Sequence, residues 1–290
     1  MSDGKEWLHA ENNNNDDDSS TSSTDSNDTL QNFIQFTSHR NDTGLEEAIS
    51  VTYPLPDSAV QPGTLRLSTL LEEDDLVPLF DGAGWAGTRV WAAAIWGIKY
   101  LIDEYGDQNL NLCELGCGLG VPGMVWHQMG KDCVLTDQES IMAQIVENAR
   151  SNFGTSFSNT AHGDYTADDT SDKLRKIYAQ PLSWSREGFH NLLESTGFYN
   201  GFDIVLNCDC VYEPLYGKSW ELLAEVIDEC LKVNPECIVV TSVERRNGDG
   251  IDLFKSRMED SEHVASVEKI MEDKERDLEL YITRGRILSR

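Results

Sequence analysis

Residues 110–137, LNLCELGCGLGVPGMVWHQMGKDCVLTD, restrict the fold of this chain more than any other stretch. Leu110, Leu112 and Leu115 lead an apolar run into a turn holding Gly116, Gly118, Gly120 and Gly123, and a second apolar run, Cys133-Val134-Leu135, ends on Asp137. The order reads as strand, glycine loop, helix, strand, acid. Glycines suit a backbone that must take positive φ and admit a ligand closely, and an acid ending the next strand can accept hydrogen bonds from ribose hydroxyls. The stretch predicts an α/β unit that binds a nucleoside.

Charge selects the kind of nucleoside. Gly118-Leu-Gly120-Val-Pro-Gly123 matches the dinucleotide pattern G-x-G-x-x-G, but a pyrophosphate needs a helix N-terminus free of competing negative charge. Glu114 precedes the first glycine by two residues, no Lys or Arg occurs between Glu104 and Gly130, and the Gly-Lys-Ser/Thr ending of a phosphate loop is missing. An acid-flanked glycine loop suits a ligand with an amino group and a sulfonium better than one with phosphates. S-adenosylmethionine has that chemistry.

Glu114-Leu-Gly-Cys-Gly-Leu-Gly120 resembles motif I of the class I, seven-strand methyltransferases, and Leu135-Thr136-Asp137 resembles the acid that follows it. Gly87-Thr-x-Val-Trp91-x-Ala-Ala is similar to the stretch before motif I in the methyltransferase family 16 group, which includes protein lysine methyltransferases; there the tryptophan lines the cofactor pocket. Phe202-Asp-Ile-Val-Leu-Asn-Cys-Asp209-Cys-Val-Tyr212 is an apolar strand with a polar tip, where parallel sheets place ligands. Its Asp209-Cys-Val-Tyr212 resembles the group's D-x-x-Y/F motif, and an acid capping the next helix is the plainer reading. Lys176 to Trp184 is similar to the group's third strand, with Ser185 and Arg186 in place of the usual glycine after the tryptophan. Glu244-Arg-Arg246 resembles a late segment that orients substrate or holds Asp209 by an ion pair, a surface salt bridge being the alternative.

Composition sets outer limits. At 290 residues and 39% hydrophobic, the chain can bury one large core, and no run of 18 apolar residues or secretory leader pattern occurs. Seven cysteines, mostly in apolar runs, fit a reducing compartment, and Cys208-Asp-Cys210 lacks the C-x-x-C or neighbouring His of a zinc site, so no metal is expected. The formal net charge is −28; nine acids against two bases in residues 1–45 leave −21 for residues 46–290. Such a field repels a phosphate backbone and favours basic partners, unless it serves only solubility.

Elsewhere, the Asn/Asp/Ser/Thr run at 10–30 cannot offset its ordering entropy by burial, so residues 1–44 are expected to be a disordered acidic tail ahead of a methyltransferase domain at 45–290. Ala48–Tyr53 and Thr64–Thr69 predict a hairpin, Glu72–Asp75 an acidic turn, and 154–175 a polar insertion. Helices are predicted around Trp91, Ile95, Ile98 and Leu101, around Ile141, Ile145 and Ala149, and around Leu222, Val226 and Leu231. Cys237–Val243 reads as a buried strand, and Val264–Met271 with Leu278–Thr283 as a closing hairpin.

The fold expected is α/β: a Rossmann-like, mostly parallel seven-strand sheet with an antiparallel last strand, helices on both faces and an N-terminal β-hairpin. The resemblance implies methyl transfer from S-adenosylmethionine to a lysine side chain of a protein substrate by a cytoplasmic monomer, the nucleus being the alternative location, without nucleic acid or membrane partners. It implies cofactor contacts from Trp91, Glu114, Gly116, Cys117, Gly118, Asp137, Trp184 and Cys208, and catalytic roles for Asp209 and Tyr212. Methylation of a small molecule or of a side chain such as histidine is the rival within enzymes, and a catalytically silent binding module is the rival outside them.

Overall fold

The computed structural model describes residues 34–40, 46–53, 63–68, 87, 89–154, 157–158 and 175–287. A three-stranded antiparallel sheet comes first, made of β1 (Gln35–Arg40), β2 (Glu46–Tyr53) and β3 (Gly63–Ser68). Along β3, Leu65 and Leu67 are buried while Thr64 and Arg66 are exposed, the period-two pattern of a sheet with one covered face. The expected hairpin is present as β2 and β3, with Val51 opposite Leu65. β1 corrects the tail boundary: residues 35–40 fall inside the segment expected to be disordered, yet they pair with β2, Gln35 opposite Thr52, and neighbouring Ile34 is buried. The reason is non-local, since β2 supplies the edge that completes a strand too short to announce itself. Residues 1–33, the acidic turn at 72–75 and insertion residues 159–174 lie outside the described residues.

The main sheet is built by α1 (Ala92–Tyr105), β4 (Leu112–Leu115), α2 (Val121–Gln128), β5 (Cys133–Asp137), a 3₁₀ turn at Glu139–Ile141 and α3 (Met142–Phe153). It continues through β6 (Phe157–Ser158), β7 (Ile177–Pro181), α4 (Arg186–Thr196), β8 (Ile204–Cys208), α5 (Glu213–Tyr216) and α6 (Trp220–Val233). β9 (Ile238–Glu244), α7 (Ile251–Glu259), β10 (Val264–Asp273) and β11 (Leu278–Gly285) complete it. The strand order is β10-β11-β9-β8-β4-β5-β7-β6. Seven of these strands make the expected mostly parallel sheet, with β11 antiparallel to both β9 and β10, and the two-residue β6 adds an eighth at one edge.

Strand alternation splits the core into two layers. Leu112, Leu135, Leu206 and Val240 face α1, α2 and α3, while Cys113, Val134, Val205 and Val239 face α4, α6 and α7. Because both faces are covered, the central strands read as continuous apolar runs. The three-stranded sheet joins the first layer. Its β3 edge is tied to α3 by side chains one helical turn apart: Ser68 N–H donates to Asn148 Oδ1 at 2.7 Å, Gln144 donates to the Ser68 carbonyl at 2.8 Å, and Asn152 exchanges bonds with Arg66 at 3.0 and 2.8 Å.

β4 is flanked by β5 on one side and β8 on the other, so successive connections leave it in opposite directions and open a crevice at its C-terminal end. At its start, Asp203 Oδ2 accepts from the Asn111 N–H at 2.9 Å and from its side-chain amide at 2.7 Å, while Asn111 Oδ1 accepts the Asp203 N–H at 3.1 Å. This brace sets the β4–β8 register far from the crevice. Asp203→Ala should lower the unfolding free energy by about 1.5–3 kcal/mol, the range for bonds to a charged group, with an unchanged denaturant slope. Urea titration checks it.

Candidate active site

The crevice is floored by the turn after β4. Gly116 adopts φ 64°, and a Cβ there would lie 2.6 Å from the Cys210 sulfur, so both conformation and space demand glycine. Gly118 donates its N–H to Asp137 Oδ2 at 2.8 Å, and Asp137 Oδ1 accepts the Gln138 N–H at 2.7 Å. The acid at the end of β5 thus fastens the loop to the neighbouring strand.

Glu114 closes the start of α2. Its Oε2 accepts the Gly123 N–H at 2.8 Å, and Pro122 has no N–H to offer. Two first-turn positions that could have bound a phosphate are therefore taken or missing, which is the structural counterpart of the charge argument from sequence. A side chain at Gly123 would meet Leu135 at 2.3 Å, so the close approach of helix and strand depends on that glycine.

The cavity above this floor has a volume of about 490 Å³. Trp91, Glu114, Gly116, Cys117, Gly118, Asp137, Trp184, Cys208 and Asp209 all line it, so nine of the ten residues singled out from sequence converge. Trp91 is the N-cap of α1 rather than a residue within the helix, with extended φ −90° and ψ 150° that turn the chain at the cavity wall. Trp184 follows β7, and Ser185 next to it caps α4 by accepting the Gly188 N–H at 3.0 Å. Burial pushes the Cys117 and Cys208 thiols well up, so they pack as small apolar groups and are not reactive thiolates.

Asp209, at the tip beyond β8, takes φ 53°, a left-handed conformation that aspartate tolerates better than most side chains. Its carboxylate is not a helix cap. Oδ1 accepts the Glu244 N–H at 2.8 Å and Oδ2 pairs with Arg246 at 3.0 Å, tying the tip of β8 to the end of β9. Burial pushes its carboxyl above the usual range, against the opposing influence of Arg246. Arg246 also meets Glu244 at 3.0 Å, and its guanidinium lies 5.3 Å from the Trp91 ring and 5.0 Å from the Tyr212 ring. Tyr212 is the expected site residue that does not line the cavity; its ring lies against Arg246 instead.

Sequence reasoning singled out neither Arg89, Gln138 and Ser183 nor Tyr216 and Ser219, all of which line the cavity. Arg89 precedes α1, so a search for cations near the glycine loop in sequence does not find it. Tyr216 carried a usable signal: it follows Tyr212 by four residues in a short helix, and its N–H bonds the Tyr212 carbonyl at 2.9 Å.

Two carboxyls in the cavity are strongly perturbed. Burial, opposed by the Gly123 N–H and reinforced by Asp137, pushes Glu114 up to about 8. Burial, opposed by the Gly118 and Gln138 N–H groups, pushes Asp137 up to about 6. A raised carboxyl binds its proton in the folded chain and not in the unfolded one between the two pKa values, so stability falls as pH rises through that window. For Glu114 the window runs from the ordinary 4.5 to about 8, and above about 6 Asp137 no longer adds to it. Between pH 6.5 and 8 the ligand-free protein should lose stability at up to about 1.4 kcal/mol per pH unit. Glu114→Gln, which keeps an acceptor for Gly123, should flatten that slope in melting temperature measured across the same range.

The chain is 36% identical over 152 residues to secreted RxLR effector protein 48 of Plasmopara viticola, covering 51% of this chain and 72% of that one. It is 22% identical over 226 residues to protein-lysine N-methyltransferase EFM2 of Saccharomyces cerevisiae, covering 70% of this chain and 48% of that protein. With protein N-lysine methyltransferase METTL21A of Xenopus tropicalis the identity is 27% over 124 residues, 42% of this chain and 46% of the relative. The chain thus spans just under half the length of these last two relatives. Among solved structures, a TehB-like SAM-dependent methyltransferase from Corynebacterium glutamicum aligns with a TM-score of 0.44 and 13% identity, covering 73% of this chain and 97% of that one. A family model described as lysine methyltransferase matches residues 72–260. That span holds everything from α1 to α7, including the glycine loop and both strand-tip acids, and the chain belongs to the lysine methyltransferase family.

Proposed function

We propose that the cavity binds S-adenosylmethionine and that the chain transfers its methyl group to the side-chain nitrogen of a lysine in another protein. The observation that carries this is the treatment of the α2 N-terminus: Glu114 occupies the Gly123 N–H, and among the described residues three acids, Glu114, Asp137 and Asp209, face the cavity against one base, Arg89. Those groups fit a cationic amino acid joined to a nucleoside without phosphates. Asp137 keeps lone pairs beyond those given to Gly118 and Gln138 and suits the ribose, Trp91 and Trp184 offer flat apolar walls, and Gly116 and Gly118 leave room for close backbone approach. When bound, S-adenosylmethionine supplies an electrophilic methyl group on a positively charged sulfur.

The protein's task is then to present a neutral amine in line with that methyl group. An ordinary lysine, with pKa near 10.4, is protonated at pH 7, and deprotonation costs roughly 4.6 kcal/mol. A free carboxylate at the acceptor end would raise that cost by favouring the ammonium. Asp209 is not free, because Arg246 shares its charge at 3.0 Å and the Glu244 N–H holds its other oxygen. Asp209 is thereby an orienting acceptor rather than a general base, and Tyr212 supports it through Arg246. Seven free cysteines support a reducing compartment, and we place the protein in the cytoplasm. Among the described residues no helix is long and apolar enough to cross a membrane.

Incubation with methyl-labelled S-adenosylmethionine and unfractionated cell protein, followed by mass spectrometry of the labelled residue, should find the label on a lysine nitrogen, at a rate rising from pH 7 to 9. Label on a histidine or only in the small-molecule fraction would refute the lysine assignment. Asp137→Ala should weaken S-adenosylhomocysteine binding by about 1.5–3 kcal/mol in calorimetry, the range for hydrogen bonds to a charged group.

A further inference from the structure

The cavity wall made by α5 and the start of α6 carries two hydroxyls that no described residue hydrogen-bonds. Ser219 is the N-cap of α6, where serine ordinarily accepts a hydrogen bond from a first-turn N–H. Here its backbone is already helical, with φ −59° and ψ −19°, it makes no side-chain cap, and its Oγ is shielded from solvent without a hydrogen-bond partner. Tyr216 lines the same cavity, and among the described residues its hydroxyl has no hydrogen-bond partner. A shielded hydroxyl left unpaired is costly, so the Ser219 oxygen points to a polar group that enters the cavity, and the half-buried Tyr216 hydroxyl on the same wall is open to the same group.

Their position says which group. Tyr216 lines the cavity together with Asp137 and Asp209, and burial, reinforced by Cys210, Asp209 and Asp137 and opposed by Arg246, pushes its hydroxyl above the ordinary range, so it keeps its proton at neutral pH. Tyr212, the tyrosine expected at the acceptor end, is turned onto Arg246, and both Asp209 oxygens already take a donor. A carboxylate oxygen keeps a further lone pair, so Asp209 can take one N–H of an incoming amine and the second N–H needs another acceptor; among the described residues Tyr216 is the tyrosine that lines the cavity.

We propose that Tyr216, with Ser219 beside it on the same wall, orients the acceptor amine for methyl transfer. This rests on the lysine-transfer reading. The Tyr216 oxygen accepts one N–H of the neutral amine, and the Ser219 oxygen or a spare Asp209 lone pair accepts the other, which leaves the nitrogen lone pair directed at the methyl carbon. The lone pair forms the N–C bond as the C–S bond breaks, the electrons of that bond stay on sulfur, and the surplus proton on nitrogen leaves to water. The hydroxyl orients and does not act as base, in keeping with its retained proton.

The experiment compares wild type, Tyr216→Phe and Ser219→Ala in three measurements: melting temperature, calorimetric affinity for S-adenosylhomocysteine, and rate of labelled methyl transfer to lysine in unfractionated cell protein at saturating S-adenosylmethionine. Tyr216→Phe keeps the ring and should leave melting temperature and affinity within error while the transfer rate falls roughly tenfold, the size expected for one lost hydrogen bond. Ser219→Ala should lower the rate by a smaller factor with affinity again unchanged. Affinity falling in step with rate would assign the hydroxyls to the cofactor and overturn the proposal, as would a Tyr216→Phe rate equal to wild type. Absence of lysine labelling by the wild type would refute the lysine-transfer reading itself, whereas full-rate labelling by Tyr216→Phe would refute only the role of Tyr216.

Discussion

The hydrogen bond from the Gly123 N–H to buried Glu114 is the contact on which the site's character depends. It joins β4 to the first turn of α2 and requires a glycine at 123, because a side chain there would strike Leu135. It also puts an acid where phosphate-binding folds of the same topology leave free N–H groups. One carboxyl thus fixes the packing of helix on sheet and takes an N–H that a phosphate would need. Its raised pKa is the cost of that placement, since a lone buried carboxylate favours its neutral form.

A second junction ties the two ends of the crevice together. Arg246, at the end of β9, touches Asp209 from β8, Glu244 from its own strand, Trp91 before α1 and Tyr212 before α5. A guanidinium can do this because it is planar, stays charged and stacks on rings while its edge forms ion pairs; a lysine would keep the charge and lose the geometry. The wall at Trp91 and the strand-tip acid are held by one side chain, so the two halves of the cavity are positioned relative to one another by a residue that does not itself line it.

Elements whose signal is local were legible in the sequence. β4, the glycine loop, α2 and β5 follow from apolar runs and glycine spacing within 28 residues, and Asp137 follows from its place at a strand end. The closing pair β10 and β11 was legible for the same reason, as two runs joined by a short polar turn. β1 was not, because six residues with little apolar character become a strand only when β2 presents its edge. Trp91 was legible as a site residue and misread as a helical one, since periodicity cannot tell the last extended residue from the first helical one.

The sequence by itself determined the fold class, the floor of the site and its preference for a ligand without phosphates, because strand period, glycine conformation and the placing of acids are set within short stretches of chain. Only the tertiary structure decided which groups share the cavity. Arg89 and Tyr216 lie more than twenty residues from the glycine loop in either direction, and no pattern near that loop assigns them to it. It also turned Tyr212 onto Arg246 and gave Asp209 a partner 37 residues away, because the sheet order sets β9 against β8 and brings their C-terminal ends together.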